Sequence, residues 1–289
     1  MINRLVSGKT QIFGILGNPV THTVSPFIHN TIAEKTGDPL IYVPFHVENA
    51  AVADAVRGAH ALNVRGLNVT MPHKQAVLPY LCGLDRGAAA VGAVNTLKWT
   101  PDGFAGYNTD VIGVMKSFEN VDIDMRGKSA AILGAGGSAR AAAVALAELG
   151  AAEIQIVNRS APANDLVKNI EKFADIRVTC LSFQDIALIK GAAAIIQTTP
   201  LGFGSLADQT PVADVSIFEN VPFVLDVIYE PRETLFLKTA RKAGCEAVNG
   251  FDMLFYQAVA SYEIWMDQCF GMEFVADLKQ ELSAFFYND

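Results

Sequence analysis

The sequence predicts an α/β fold of two domains. Short apolar runs typical of strands alternate along the chain with segments of helical period. The chain has 289 residues, of which 51% are hydrophobic, and this is enough to fill two cores. A glycine-rich turn near the middle of the chain opens a second series of strands. We therefore predict a first domain at 1–110, completed by C-terminal helices at 250–289 that pack back on it, and a second domain at 111–249.

The first domain is predicted to alternate strands with helices. Ser25 is placed to cap the first helix, and Pro26 suits its first turn. The predicted strands are 11–16, 40–45 and 66–69, and the predicted helices are 26–35 and 49–61. Polar residues follow the ends of these strands. In α/β folds the loops at strand ends are a usual place for a substrate site.

The second domain opens on a strand, a glycine turn and a helix. Ser129 to Leu133 is a short apolar run, and Gly134, Gly136 and Ala139 fit the pattern G-x-G-x-x-G/A. An alanine-rich helix follows, so the context is that of a Rossmann-type dinucleotide fingerprint. Without a side chain at the second glycine, the backbone can approach a pyrophosphate at the start of the helix. The predicted cofactor contacts are Gly134, Ala135, Gly136, Gly137, Ser138 and Ala139.

The next predicted strand ends in a group that selects the cofactor. Glu153 to Val157 is followed by Asn158, Arg159 and Ser160. An NAD site usually carries an acid here for the ribose 2′-hydroxyl, whereas a guanidinium suits a 2′-phosphate. We predict that Asn158, Arg159 and Ser160 contact NADP, with NAD as a weaker alternative. The structural alternative for Arg159 is a solvated surface arginine.

Composition argues against several other classes of protein. The net charge is −8 without a cluster of Lys and Arg, which argues against nucleic acid or an anionic membrane as a partner. Four scattered cysteines suit a reducing compartment, and no apolar run reaches a membrane-spanning length. His22, His29 and His73 lack metal-ligand spacing. The sequence therefore predicts a cytoplasmic protein without a metal. We also expect a small-molecule substrate, and the oligomeric state is left open between monomer and homodimer.

Several polar residues lie outside the fingerprint. Each has a structural interpretation when taken alone, as a helix cap, a turn former or a surface lysine. Together they offer hydroxyls, amides, an ammonium and a carboxylate to a polar ligand. They are Thr23, Ser25, Asn68, Thr70, Lys74, Asn95, Asp110 and Gln257.

Taken in order, these pieces resemble the shikimate dehydrogenase family across residues 11–289. The resemblance depends on Gly17 to Pro26, Asn68 to Lys74, Gly92 to Thr96 with Tyr107 to Asp110, the glycine fingerprint with Asn158 and Arg159, Asp226 to Leu235, and Gly250 to Gln257. It implies the reversible, NADP-dependent reduction of 3-dehydroshikimate to shikimate, a step toward chorismate and the aromatic amino acids. It also implies a two-domain fold with a substrate site and a Rossmann-type cofactor domain.

The resemblance implies a role for each matching residue. Lys74 and Asp110 match the catalytic pair, and both also contact the substrate. Thr23 and Ser25 match the hydroxyls that hold its carboxylate. The ring is bound by residues matching Asn68, Thr70, Asn95, Tyr229 and Gln257, and the cofactor is further contacted by residues matching Thr198 and Gly250.

Some positions depart from the family pattern. Thr23 stands where serine is usual, and its added methyl could reshape the carboxylate site toward quinate. Ala163 stands where a second arginine for NADP is usual. Val111, Gln197 and Asp252 also differ. Two alternatives therefore stay open: a quinate/shikimate dehydrogenase or a paralogue acting on a related cyclic polyol acid, and a non-catalytic NADP-binding sensor.

Overall fold

The computed structural model of the protein describes residues 6–159, 164–212 and 214–287. The strands are β1 (Gln11–Gly17), β2 (Leu40–His46), β3 (Gly66–Val69), β4 (Gly83–Leu84), β5 (Thr96–Thr100), β6 (Gly103–Tyr107), β7 (Ser129–Leu133), β8 (Glu153–Asn158), β9 (Arg177–Ser182), β10 (Ala194–Gln197), β11 (Phe223–Asp226) and β12 (Glu246–Val248). The helices are α1 (Ser25–Thr36), α2 (Val52–Ala61), α3 (Arg86–Val91), α4 (Asp110–Glu119), α5 (Gly137–Glu148), α6 (Asn164–Phe173), α7 (Leu235–Lys242), α8 (Phe251–Met266) and α9 (Met272–Tyr287).

The chain forms two compact units, and the predicted two-domain α/β class is confirmed. The first unit consists of Met1–Ala88, Ala93–Thr109 and Ala258–Asp289. The second consists of Ala89–Gly92 and Asp110–Gln257.

The first unit contains a mixed sheet in the order β2-β1-β3-β5-β6-β4. Strand β1 pairs in parallel with β2 and β3, and β5 pairs antiparallel with β3 and β6. In this register Tyr42 on β2 lies opposite Phe13, and Asn68 on β3 lies opposite Ile15. Tyr42 and Asn68 therefore lie on the two strands that flank β1.

The second unit contains a parallel sheet in the order β12-β11-β10-β7-β8-β9. Strands β7, β10 and β11 are buried almost throughout, as expected when helices cover both faces of a sheet. Strand order reverses between β7 and β10. In a doubly wound sheet this reversal is where ligands bind, outside the carboxyl ends of the strands.

One predicted detail of α1 is wrong. The helix begins at Ser25 itself, so Ser25 is not its cap residue, and Val24 in the cap position makes no side-chain capping bond. The physical reason is a competing partner. The Ser25 hydroxyl accepts a hydrogen bond from Thr23 Oγ1 at 3.2 Å instead of capping the helix.

Candidate functional site

The glycine turn of the second unit is closely packed on one side. Gly134 follows β7 with a φ of 113°, a conformation that favours glycine. A Cβ at this position would lie 2.5 Å from Thr198 Oγ1, which itself donates to the Leu133 carbonyl at 2.7 Å. Only glycine therefore lets the turn after β7 pack against the turn after β10.

The same turn is open on its other side. Gly136 precedes α5 in an extended conformation and is exposed, and no side chain caps the helix. A Cβ added to Gly136 would meet no described atom within 4 Å beyond its immediate neighbours. The first backbone N–H groups of a helix lack intrahelical partners and carry partial positive charge. This geometry fits a pyrophosphate group at the start of α5.

The predicted cofactor residues meet at neighbouring strand ends. The N–H of Gly134 donates to the Val157 carbonyl at 2.8 Å, which brings the glycine turn beside the end of β8. Asn158 ends that strand, and the next residue, Arg159, is exposed. An exposed guanidinium at this edge is available to a 2′-phosphate. The predicted contact Ser160 and the departure Ala163 lie outside the described residues.

Two departures from the family pattern have structural partners. Gln197 ends β10 and organises the turn that follows it, since its Nε2 donates to the carbonyls of Thr199 (3.1 Å) and Leu201 (2.9 Å). The carboxylate of Asp252, on the first turn of α8, accepts a hydrogen bond from Asn120 Nδ2 at 2.6 Å. The third departure, Val111, is buried in α4.

A buried carboxyl group organises the loop after β11. Asp226 Oδ1 accepts from the N–H of Ile228 at 3.1 Å, and Oδ2 accepts from Thr234 Oγ1 at 2.7 Å. Thr234 in turn caps α7 by accepting from the N–H of Leu237 at 3.2 Å. Burial raises the pKa of Asp226 to about 7, although both hydrogen bonds oppose this rise. The loop that Asp226 closes carries Tyr229.

Gly250 is held against this same loop. Its N–H donates to the Ile228 carbonyl at 3.0 Å, and an added Cβ would lie 2.1 Å from the Val227 carbonyl oxygen. A larger residue would displace the backbone at this position. The structure thus brings two predicted site residues, Tyr229 and Gly250, to one segment of the second unit.

In the first unit the two predicted carboxylate-binding hydroxyls are adjacent. Thr23 Oγ1 donates to Ser25 Oγ at 3.2 Å and accepts from the Ser25 N–H at 3.3 Å. Ser25 is buried, while Thr23 is half-buried. Two neighbouring hydroxyl donors at the start of a helix suit a carboxylate ligand.

Asn68 is fully engaged within the protein. Its Nδ2 lies within hydrogen-bond distance of Asn95 O (3.1 Å), Thr96 Oγ1 (3.2 Å) and Ser261 Oγ (3.1 Å). Its Oδ1 accepts from the Tyr42 hydroxyl at 2.7 Å. Burial makes each unpaired polar atom costly, so these contacts determine how the amide is oriented.

Asn95 belongs to the same buried network. Its Nδ2 donates to Thr109 Oγ1 at 2.9 Å, and its Oδ1 accepts from the Thr109 N–H at 2.8 Å. Ser261 Oγ shares hydrogen bonds with Thr96 Oγ1 (2.7 Å) and Thr109 Oγ1 (3.0 Å). Sequence reasoning missed Tyr42, Thr96, Thr109 and Ser261, because nothing in their local pattern distinguishes them from core residues.

The loop that carries Thr70 and Lys74 is fixed by its backbone and by a histidine. Thr70 N–H donates to Leu16 O at 2.9 Å, and the Lys74 carbonyl accepts from Val94 N–H at 2.9 Å. Between them His73 is buried and hydrogen-bonds the Val47 carbonyl at 2.7 Å. His73 therefore has a structural role, and Lys74 is half-buried beside Val94, close in sequence to Asn95.

The predicted site residues divide between the two units. Thr23, Ser25, Asn68, Thr70, Lys74 and Asn95 belong to the first unit, where the contacts above connect them. Asp110, Tyr229, Gly250, Gln257 and the described cofactor residues belong to the second. Asp110 is buried at the first residue of α4, and Gln257 Nε2 donates to the Leu254 carbonyl at 2.9 Å.

Three further observations concern metal-binding groups, disulfides and membrane-spanning helices. Across the described ranges, no group of three or more His, Cys, Asp or Glu side chains is arranged to hold a metal ion. All four cysteines are free thiols. Within the same ranges, every helix is too short or too polar to cross a membrane.

Comparison with known proteins gives concordant results. Residues 15–97 match the family model of the shikimate dehydrogenase substrate binding domain. A relative from Methanothermobacter thermautotrophicus, named shikimate dehydrogenase (NADP(+)), is 40% identical over 265 residues, which cover 90% of this chain and 93% of the relative.

Solved structures extend the likeness to the whole fold. A shikimate dehydrogenase in complex with NADP+ superposes with a TM-score of 0.88 at 34% identity, covering 97% of this chain and 98% of the other. A quinate dehydrogenase from Corynebacterium glutamicum in complex with NAD gives a TM-score of 0.85 at 28% identity, covering 95% and 99%. The identity over nearly the full length confirms the resemblance first seen in the motifs: the chain belongs to the shikimate dehydrogenase family.

Proposed function

We propose that this protein is an NADP-dependent shikimate dehydrogenase that reversibly reduces 3-dehydroshikimate to shikimate. The observation that carries the proposal is the 40% identity, over 90% of the chain, to a relative named for this activity. The glycine turn and the hydroxyl and amide network described above support it. The test is a steady-state panel in which shikimate and quinate are each assayed with NADP and with NAD. Turnover of neither acid with either cofactor would refute this activity and leave a paralogue acting on a related cyclic polyol acid or a non-catalytic sensor.

NADP is held in this proposal by the second unit. The turn from Gly134 to Ala139 binds the pyrophosphate, and Asn158 and Arg159 bind the phosphate on the ribose. Thr198 and Gly250 contact the rest of the cofactor. Ser160, which lies outside the described residues, is proposed to bind the ribose phosphate with Arg159. The open backbone at Gly136 and the uncapped start of α5 fit such a group. When bound, the nicotinamide exchanges a hydride with the substrate carbon.

Lys74 and Asp110 are proposed as the catalytic residues. As the ketone is reduced, its oxygen gains negative charge, which an ammonium group stabilises and then protonates. Lys74 is the proposed donor. Asp110 is proposed to orient Lys74. It is also proposed to bind the ring hydroxyl that is oxidised to the ketone in the reverse direction. In the reverse direction Lys74 removes the hydroxyl proton.

The remaining predicted residues are proposed to bind and orient the substrate. Thr23 and Ser25 donate to the carboxylate. A polyhydroxylated ring needs several fixed polar partners, because an unmatched buried polar group costs about 1 to 3 kcal/mol. These partners are Asn68, Thr70, Asn95, Tyr229 and Gln257.

The two predicted domains are proposed to bind different ligands. Residues 1–110 with the C-terminal helices at 250–289 bind the substrate, and residues 111–249 bind the cofactor. The match of residues 15–97 to a substrate binding domain supports this division. A cytoplasmic location, with the protein as a monomer or homodimer, completes the proposal, and the free thiols suit a reducing compartment.

Replacing Arg159 with alanine is expected to raise the KM for NADP about tenfold or more. A charge-assisted partner of the 2′-phosphate contributes roughly 1.5 to 3 kcal/mol, and about 1.4 kcal/mol corresponds to tenfold. NAD lacks this phosphate, so its KM should hardly change. Steady-state kinetics with both cofactors test the prediction. An equal loss of affinity for NADP and NAD would show that Arg159 does not bind the 2′-phosphate.

Quinate is the second candidate substrate, and Thr23 is the observation that favours it. Quinate has a saturated C1 that carries a hydroxyl, so its carboxylate leaves the ring plane. The Thr23 hydroxyl is still paired with Ser25, but its methyl adds bulk and stiffens χ1. Because Ser25, Asn68, Thr70 and Lys74 keep the shikimate pattern, shikimate is the proposed preferred substrate.

Replacing Thr23 with serine is expected to shift the ratio of kcat/KM for shikimate over quinate toward shikimate. One methyl group in a pocket changes discrimination by about 1 to 3 kcal/mol, so the ratio should move by roughly fivefold or more. The cofactor constants should stay as they are. The kinetic ratio measured in both proteins decides the matter: an unchanged ratio means that Thr23 is a neutral replacement, and a wild type that prefers quinate reverses the choice of substrate.

A further inference from the structure

The hydroxyl group of Tyr42 donates to a predicted substrate-binding residue. Tyr42 is 1% exposed, and its hydroxyl lies 2.7 Å from Asn68 Oδ1. No other side-chain donor to Asn68 Oδ1 is seen within the described ranges. Tyr42 thus contacts a proposed ring-binding residue, although it was not predicted as a site residue.

Helix α1 holds Tyr42 in this position. Asn30 forms a two-point contact with its backbone, since Nδ2 donates to Tyr42 O at 2.9 Å and Oδ1 accepts from Tyr42 N–H at 3.0 Å. His29 stacks on the tyrosine ring, with centroids 4.4 Å apart and planes 14° from parallel. The ring of Tyr42 therefore has little freedom to move its hydroxyl away from Asn68.

The neighbouring histidine does not compete for this hydroxyl. Burial lowers the pKa of His29 to about 3, against a smaller opposing effect of Asn68, so the ring is neutral. Neither of its nitrogens has a hydrogen-bond partner among the described residues. Burial also raises the pKa of Tyr42, with Ser25 opposing, so the phenol keeps its proton and remains a donor.

The direction of these hydrogen bonds follows from the donor inventory. Asn68 Oδ1 can only accept, so the proton of Tyr42 points to it. This arrangement turns the Nδ2 group of Asn68 toward Asn95, Thr96 and Ser261.

We propose that Tyr42 is a positioning residue for the substrate, acting through Asn68. This inference rests on the proposed function. The Tyr42 hydroxyl is the donor to Asn68 Oδ1 and so helps to fix the orientation of the amide. Without this hydroxyl, Asn68 Oδ1 loses its donor, and only the contacts of Nδ2 hold the amide in place.

The test compares two variants, each of which removes the hydroxyl group of one buried tyrosine. Tyr42→Phe removes the proposed positioning hydroxyl. Tyr262→Phe is the matched control, because Tyr262 is also fully buried and faces His29 from 6.3 Å, but its hydroxyl donates to Asp38 at 2.6 Å. Tyr42→Phe should lower Tm, since it leaves a buried acceptor without its donor, whereas Tyr262→Phe leaves the half-buried Asp38 with Thr36 Oγ1 as a donor. Only Tyr42→Phe should raise the KM for shikimate, by about five- to tenfold.

The pattern across kinetic constants separates positioning from a purely structural role. In Tyr42→Phe the kcat should stay within about twofold of the wild type, because the catalytic groups are untouched, and the KM for NADP should not change. The inference is overturned if the KM for shikimate stays within twofold of the wild type, or if Tyr262→Phe raises it equally. A wild type that turns over neither shikimate nor quinate overturns the proposed function instead, and the inference with it.

A second measurement applies if Tyr42→Phe does not fold. Wild-type protein labelled with ζ-¹³C tyrosine reports the hydrogen bonding of each phenol, and Tyr42 is assigned by elimination against variants of the other tyrosines. Saturation with shikimate should shift the Tyr42 signal, because the substrate ring engages Asn68, the acceptor of the Tyr42 proton. Saturation with NADP alone should leave it in place. An unmoved signal in the presence of shikimate overturns the inference.

Discussion

Replacing Lys74 with alanine is expected to lower kcat for shikimate oxidation by about 10² or more. This is the usual loss when a general acid/base or a charge-stabilising group is removed. Lys74 is half-buried on a loop whose backbone is fixed by Thr70, His73 and Val94, so the fold should tolerate the change. The KM for NADP and the Tm should remain near their wild-type values. Steady-state kinetics and thermal unfolding of the purified variant test these expectations together.

A second lysine of the first unit provides the matched control. Lys98 on β5 is also half-buried, and it forms an ion pair with Asp267. Lys98→Ala removes the same ammonium group away from the proposed site, so turnover should be retained. Near wild-type turnover in Lys74→Ala would remove Lys74 from the mechanism, and an equal loss in Lys98→Ala would attribute the effect to general destabilisation.

Replacing Asp226 with asparagine is expected to change how stability depends on pH. The pKa of Asp226 is raised to about 7 in the folded protein, from an ordinary value near 4. Between these values the folded state binds a proton that the unfolded state has released. Stability from this group is therefore complete below about pH 4 and is lost as the pH rises toward 7. The total change amounts to roughly 2 to 4 kcal/mol.

Asp226→Asn has no titrating group at this position, so its stability does not fall with rising pH for this reason. The wild type should lose stability relative to Asp226→Asn as the pH rises from about 4 to about 7, and the difference should be constant above that range. Denaturant unfolding of both proteins at several pH values measures it. A difference that is independent of pH would show that folding does not change the pKa of this carboxyl group.

Asp165→Asn is the control with the opposite sign. Arg140, its ion-pair partner, lowers the pKa of Asp165 in the folded protein. Stability from this carboxylate is present above its unfolded pKa and is lost as the pH falls through its folded pKa. The advantage of the wild type over Asp165→Asn should therefore shrink in acid. The two carboxyl groups of the second unit should thus give opposite trends in one set of experiments.

Local sequence patterns predict the structure correctly where the residues of a motif are adjacent in the chain. The apolar run at Ser129–Leu133, the glycines at 134 and 136 and the alanine-rich helix are adjacent in sequence, and they were predicted as the turn that the structure contains. Strands β1, β2 and β3 were predicted within two residues for the same reason. Elements such as α6 and β9 were not predicted. The amphipathic pattern of α6 is short and is not preceded by a glycine turn that would mark it.

The sequence by itself determined the two-domain α/β class, the dinucleotide turn and, through its motifs, the family and the candidate site residues. Only the tertiary structure decided how these residues are held. Tyr42 reaches Asn68 across 26 residues of sequence, and Ser261 reaches it across 193. The hydroxyl of Ser25 pairs with Thr23 instead of capping its helix, and burial raises the pKa of Asp226. Such orientations and ionisation states depend on which distant groups a side chain is buried against, and no local pattern in the chain encodes that.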